Sequence, residues 1–204
     1  FGEYEAACRK EGARLSTYPA QEKADFRWDI EQVTDSLRQF SPRLVWLCNP
    51  NNPTGVYLSQ VEATALLEGS AEGGFIIDEA FLPFVDEPWD SLSLLRDSRV
   101  VLLRSMTKDY ALAGLRLGYL IADEPVVKAV GSLQPPWSVN GAALAAGIAA
   151  LQDTQYLLKT RECISQAKEF LVKELTRLGL RVVPSATNFL LVQVKNASEV
   201  RVRL

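Results

Sequence analysis

The chain has 204 residues, 48% of them hydrophobic and 23% charged, enough to bury a sizeable core without disulfide or metal staples. With 22 Lys and Arg against 25 Asp and Glu, the formal net charge is -3, which argues against a nucleic-acid or anionic-membrane surface. There is no histidine, so a Ser-His-Asp triad, a Cys-His pair and a His-ligated metal are excluded from within these residues; acid–base work falls to Lys, Tyr, Asp or Glu.

Glu3 to Glu11 reads as a helix tail stopped by Gly12, with a strand expected around Leu15 to Tyr18. Asp29 is placed to cap a helix running to Phe40, and Leu44 to Cys48 is an apolar run of buried-strand length. Ser59 with Glu62 spells a capping box for a helix through Leu67. Phe75 to Ile77, Val100 to Leu103 and Leu115 to Ala122 read as the next strands, and Pro125 suits the first turn of a short helix. The Ala-rich stretch from Asn140 to Leu151 is a tightly packed helix, too short to span a bilayer. Apolar strands alternating with helical periods predict an α/β fold, a mostly parallel sheet sandwiched by helices.

After about Asp153 the pattern changes. A long amphipathic helix from Tyr156 to Leu178 ends at Gly179, and strands follow at Arg181 to Val183 and Phe189 to Val194. The expectation is a large domain over residues 1–152 and, over 153–204, a linking helix with the start of a smaller α+β domain. The chain opens on Phe1 rather than Met and stops inside the periodic SEVRVRL, so both ends read as cut. Cys8, Cys48 and Cys163 show no CxxC spacing and no signal peptide is present, which points to a reduced, cytoplasmic setting.

In doubly wound sheets ligands sit beyond the carboxyl ends of strands, and here three such ends carry unusual residues. The first runs Asn49-Pro50-Asn51-Asn52-Pro53-Thr54-Gly55 and the second Asp78-Glu79-Ala80-Phe81. The third runs Ser105-Met106-Thr107-Lys108, with Arg116 close behind. Neither a GxGxxG nor a GxxxxGK[ST] pattern is present, so a dinucleotide fingerprint and a P-loop are both excluded. Singly each residue has a bland meaning: a solvated lysine, a helix-start carboxylate, a turn cluster. Jointly they suit a phosphorylated pyridine cofactor. Asp78 can keep the ring nitrogen protonated, Lys108 can bond the aldehyde and later move protons, and Asn52 can donate to the ring oxygen. Arg116 with Ser105 and Thr107 suits a phosphate dianion.

NPNNPTG, DEAF and SMTKDYALAGLRLGY together resemble the core of the fold-type I pyridoxal-phosphate enzymes, the class I/II aminotransferase family. The resemblance covers nearly the whole chain. It implies Lys108 as the catalytic lysine that holds the cofactor, Asp78 on the pyridine nitrogen, and Asn52 on the phenolic oxygen. It also implies Ser105, Thr107 and Arg116 on the phosphate, and Phe1 as an aromatic ring stacked on the cofactor. A homodimer and a small phosphorylated amino-acid substrate follow from the same likeness, with the substrate-carboxylate arginine outside these residues and no metal. Phe81 stands where family aminotransferases usually carry Tyr. That substitution, with the Pro136-Trp137-Ser138-Val139-Asn140 segment, is most similar to the threonine-phosphate decarboxylase branch of the cobalamin pathway. Histidinol-phosphate aminotransferase is the alternative branch. A regulatory or binding domain that keeps this fold without its chemistry is the non-enzyme reading.

Overall fold

The computed structural model describes residues 2–70 and 72–203. Leu44–Cys48 (β1), Gly74–Asp78 (β2), Val100–Ser105 (β3) and Gly118–Ala122 (β4) form a four-stranded sheet in the order β1-β2-β3-β4. The β1–β2 and β2–β3 pairs are parallel, and β3–β4 is antiparallel. Leu47 lies beside Ile77, Ile77 beside Leu102, and Leu102 opposite Ile121.

Side chains alternate across a strand, so this register sorts the sheet into two unlike faces. Leu47, Phe75, Ile77, Val100 and Leu102 share one face and are buried. Helices Ile30–Phe40 (α2) and Gln60–Gly69 (α3) seal it with Val33, Leu66 and Leu67. Phe75, Ile77, Val100 and Leu102 are 0% exposed, and each such burial contributes roughly 1.5–3 kcal/mol. The opposite face carries Trp46, Cys48, Ile76, Asp78, Leu103 and Ser105, all only half-buried. Helix Gly2–Lys10 (α1) lays Tyr4 against Trp46 there, ring centroids 4.7 Å apart. One face builds the core; the other is left for chemistry.

The helix-start signals are made as spelled. Asp29 accepts from the Gln32 amide, and Ser59 and Glu62 satisfy each other's backbone in a full capping box. Between β3 and β4 the chain folds back through a single-turn helix, Met106–Asp109 (α4), and a 3-10 turn, Ala113–Leu115. That short return reverses direction, so β4 enters antiparallel and starts only at Gly118. Asp123 caps Glu124–Leu133 (α5), which has its Pro in the first turn, and Asn140 caps Gly141–Gln152 (α6). Asp153 caps Thr154–Arg177 (α7), and Gly179 takes the left-handed turn, φ 76°, into Arg181–Val183 (β5). β5 pairs antiparallel with Leu191–Gln193 (β6), and Ala197–Arg203 (α8) closes the described chain. Among the described residues no helix is long and apolar enough to cross a membrane.

Two expectations need correction. No strand forms around Leu15 to Tyr18: nothing pairs with that segment, and Tyr18 turns its ring edge-on to Trp28 at 6.3 Å instead. β6 is shorter than the apolar run Phe189 to Val194, because Phe189 leaves the ladder to pack edge-on against Phe81, centroids 4.9 Å apart. That contact is one of several through which the C-terminal elements bear on the loops after β1 and β2. Arg161 Nε donates to the Pro83 carbonyl, and the Ala186 amide donates to the Gly55 carbonyl at 2.9 Å. Gly55 has φ 73°, and the Ser185 side chain occupies the space that a Cβ there would need.

Candidate active site

The three strand ends singled out in the sequence are neighbours at one edge of the sheet. Beyond β1, Asn49 is 2% exposed and pins the loop back on itself. Its Oδ1 accepts from the Leu58 amide at 2.8 Å, and its Nδ2 donates to the Leu58 carbonyl at 3.3 Å. Inside that loop Asn51 Nδ2 donates to Thr54 Oγ1 at 2.8 Å, and the Gly55 amide donates to the Asn51 carbonyl at 2.7 Å. The peptides before Pro50 and Pro53 are cis. Asn52 rides half-buried on this braced turn.

Asp78 ends β2 with both carboxylate oxygens engaged. Oδ1 accepts from the Ala80 amide at 3.0 Å, and Oδ2 accepts from the Tyr4 hydroxyl at 2.6 Å. Beyond β3, Ser105 Oγ and Thr107 Oγ1 are 2.6 Å apart, and Lys108 Nζ donates to Thr107 Oγ1 at 3.1 Å. Lys108 Nζ also lies 6.0 Å from the centre of the Phe81 ring. Serine, threonine and lysine are therefore one cluster, with Phe81 at its side. Arg116 is not joined to them. It is exposed, its φ is 58°, and its guanidinium donates to the Ala113 carbonyl at 2.9 Å. Phe1, the expected stacking ring, lies outside the described residues.

Electrostatics at this rim favour a visiting charged group. Among the described residues neither Lys108 nor Asp78 makes an ion pair. Burial and the hydrogen bond to Asp78 push the Tyr4 phenol well above its ordinary range, so it stays protonated as a donor. Burial likewise raises the Cys48 thiol, which removes it as a nucleophile at neutral pH. Among the described residues no group of three or more His, Cys, Asp or Glu could hold a metal ion. A carboxylate with no ion pair among the described residues, a lysine amine and paired hydroxyls fit a cofactor carrying a protonated ring nitrogen, an aldehyde and a phosphate.

The residues next in sequence to this set point the other way and hold it in register. Arg104, before Ser105, donates from Nε to Glu79 Oε2 at 2.9 Å, and from Nη2 to Ser91 Oγ at 3.3 Å. Burial works against the Arg104 charge, yet the Glu79 carboxylate holds its pKa above the ordinary value. Glu79 is 2% exposed, so Glu79→Ala would strand a charge behind the site. The expected cost is about 3 kcal/mol in urea unfolding, with Glu79→Gln losing clearly less. Sequence reasoning missed both this pair and Tyr4. For Tyr4 a signal existed: it is the second aromatic residue of the opening segment FGEY.

Known proteins give this geometry its context. The family model for aminotransferases of class I and II matches residues 1–202. Histidinol-phosphate aminotransferase 2 of Carboxydothermus hydrogenoformans is 39% identical over 180 residues, covering 85% of this chain and 49% of that protein. The histidinol-phosphate aminotransferase of Sinorhizobium meliloti, solved in complex with pyridoxal-5'-phosphate, superposes with a TM-score of 0.86 at 26% identity. That alignment covers 98% of this chain and 54% of the other. L-threonine-O-3-phosphate decarboxylase of Porphyromonas gingivalis superposes at 0.78 with 30% identity, over 97% and 58% of the two chains. The chain spans about half the length of the curated relative it matches. With residues 1–202 matched, the chain belongs to the pyridoxal-phosphate-dependent class I and II aminotransferase family.

Proposed function

We propose that these residues form the cofactor-binding part of an aminotransferase that moves the amino group of histidinol phosphate onto 2-oxoglutarate. The observation that carries the chemistry is Lys108 held at 3.1 Å from Thr107, on the same rim as the Asp78 carboxylate. What supports the substrate is the 39% identity over 180 residues to a histidinol-phosphate aminotransferase, together with a TM-score of 0.86 to a solved histidinol-phosphate aminotransferase against 0.78 to the solved threonine-phosphate decarboxylase. This choice reverses the branch favoured by the sequence motifs alone.

Bound pyridoxal phosphate supplies an electron sink for the bonds at the substrate α carbon. In this reading Lys108 holds the cofactor and then carries the proton to and from that carbon. Asp78 keeps the ring nitrogen charged, and Asn52 donates to the ring oxygen. Ser105 and Thr107 would donate to the phosphate, and Arg116, now on the Ala113 carbonyl, would have to leave it to join them. Residues 153–204 begin a second domain, and the site is completed in a homodimer, whose interface suits the exposed apolar residues Leu144, Ile148 and Leu151 of α6.

One observation favours the decarboxylase. Phe81 brings no hydroxyl to the site and is packed edge-on against Phe189, so the position is built for apolar contact. Assaying the full-length protein separates the two. Glutamate formed from histidinol phosphate and 2-oxoglutarate is the expected result. Carbon dioxide released from L-threonine O-3-phosphate, with no glutamate formed, would establish the decarboxylase instead. Inactivity on both substrates would favour the non-enzyme reading.

A further inference from the structure

We propose that Tyr4 is a positioning residue: its hydroxyl fixes the Asp78 carboxylate in the orientation in which it meets the cofactor's ring nitrogen. This rests on the cofactor reading above. The backbone of Asp78 is already held, since its carbonyl accepts from the Asn49 amide at 3.0 Å. Its side chain is not held by the strand, because the terminal torsion of an aspartate is broad and roughly two-fold. Two donors on different oxygens remove that freedom: the Ala80 amide on Oδ1 and the Tyr4 hydroxyl, at 2.6 Å, on Oδ2. A carboxylate has about four lone-pair sites, so Oδ2 keeps one for a ring N–H.

Tyr4 is itself placed rather than loose. Its ring lies on Trp46 at 4.7 Å with 33° between the planes, so the stack sets where the hydroxyl points. Burial and Asp78 both hold the phenol in its protonated form, which makes it a permanent donor rather than a proton carrier. Tyr4 therefore acts through Asp78, by aiming its carboxylate.

Tyr4→Phe removes the hydroxyl and leaves the ring on Trp46, so the cofactor-free protein should melt within about 2 °C of the parent. In the cofactor-loaded full-length protein, the pyridoxal phosphate dissociation constant should rise roughly tenfold, the size of one charge-assisted hydrogen bond. The absorption band of the bound cofactor should shift toward that of Asp78→Asn. The double variant Tyr4→Phe/Asp78→Asn should bind like Asp78→Asn alone, because with the carboxylate charge gone the hydroxyl has no anion left to aim at the ring nitrogen. Parent-like affinity and spectrum in Tyr4→Phe, with Asp78→Asn impaired, would overturn the role of Tyr4 alone. So would an additive loss in the double variant. Parent-like affinity and spectrum in Asp78→Asn would overturn the cofactor reading and this proposal together.

Discussion

Lys108→Ala should lower turnover by at least about 10³-fold, within the range that a single positioned acid–base group contributes. The side chain is exposed and makes no ion pair among the described residues, and the buried Thr107 hydroxyl that it serves keeps Ser105 as a partner. Stability should therefore hold within about 0.5 kcal/mol, which separates a chemical defect from a folding one. The direct check is chemical. Borohydride reduction of the loaded parent, followed by peptide mass spectrometry, should place a pyridoxyl group on Lys108. An adduct on another lysine, or none at all, would defeat the assignment.

Asp78→Asn should cost about 10² to 10³ in turnover, comparable to removing one preorganised electrostatic group from an active site. The change keeps shape and removes charge. It also takes away one of the two acceptors now serving Tyr4 and Ala80, because an amide nitrogen donates. Cofactor absorbance and steady-state rates on the same preparation measure both consequences. Near-normal turnover would mean that Asp78 does not face the ring nitrogen.

Much of this was readable from residues because the signals were local. Leu44 to Cys48 is a strand with the boundaries its apolar run implies, and Ser59 with Glu62 caps α3 reciprocally as spelled. Failures came where a partner decided the outcome. Leu15 to Tyr18 has strand-like composition but no neighbouring strand to hydrogen-bond it. The antiparallel entry of β4 follows from how tightly α4 and the following turn fold back, which no periodicity encodes. The strand-end motifs identified the cluster of Ser105, Thr107 and Lys108. They could not show that Arg116 would satisfy itself on Ala113, since a long flexible side chain chooses among acceptors only in three dimensions. Tyr4 and the Glu79–Arg104 pair were missed because each matters only through contacts far along the chain.

The half-turn of pleat between Asp78 and Glu79, and between Arg104 and Ser105, makes strand length less negotiable than residue identity. Deleting or inserting one residue upstream in β2 would swing Glu79 to the cofactor side and drive Asp78 against the sealed core beneath α2 and α3. The same slip in β3 would trade Arg104 for Ser105. Laboratory evolution of this chain can therefore search by point substitution the positions of the half-open face that carry no part of the proposed site, such as Ile76 and Leu103. Single-codon insertions and deletions will survive in exposed stretches such as Asp86 to Glu87, and be purged from β2 and β3.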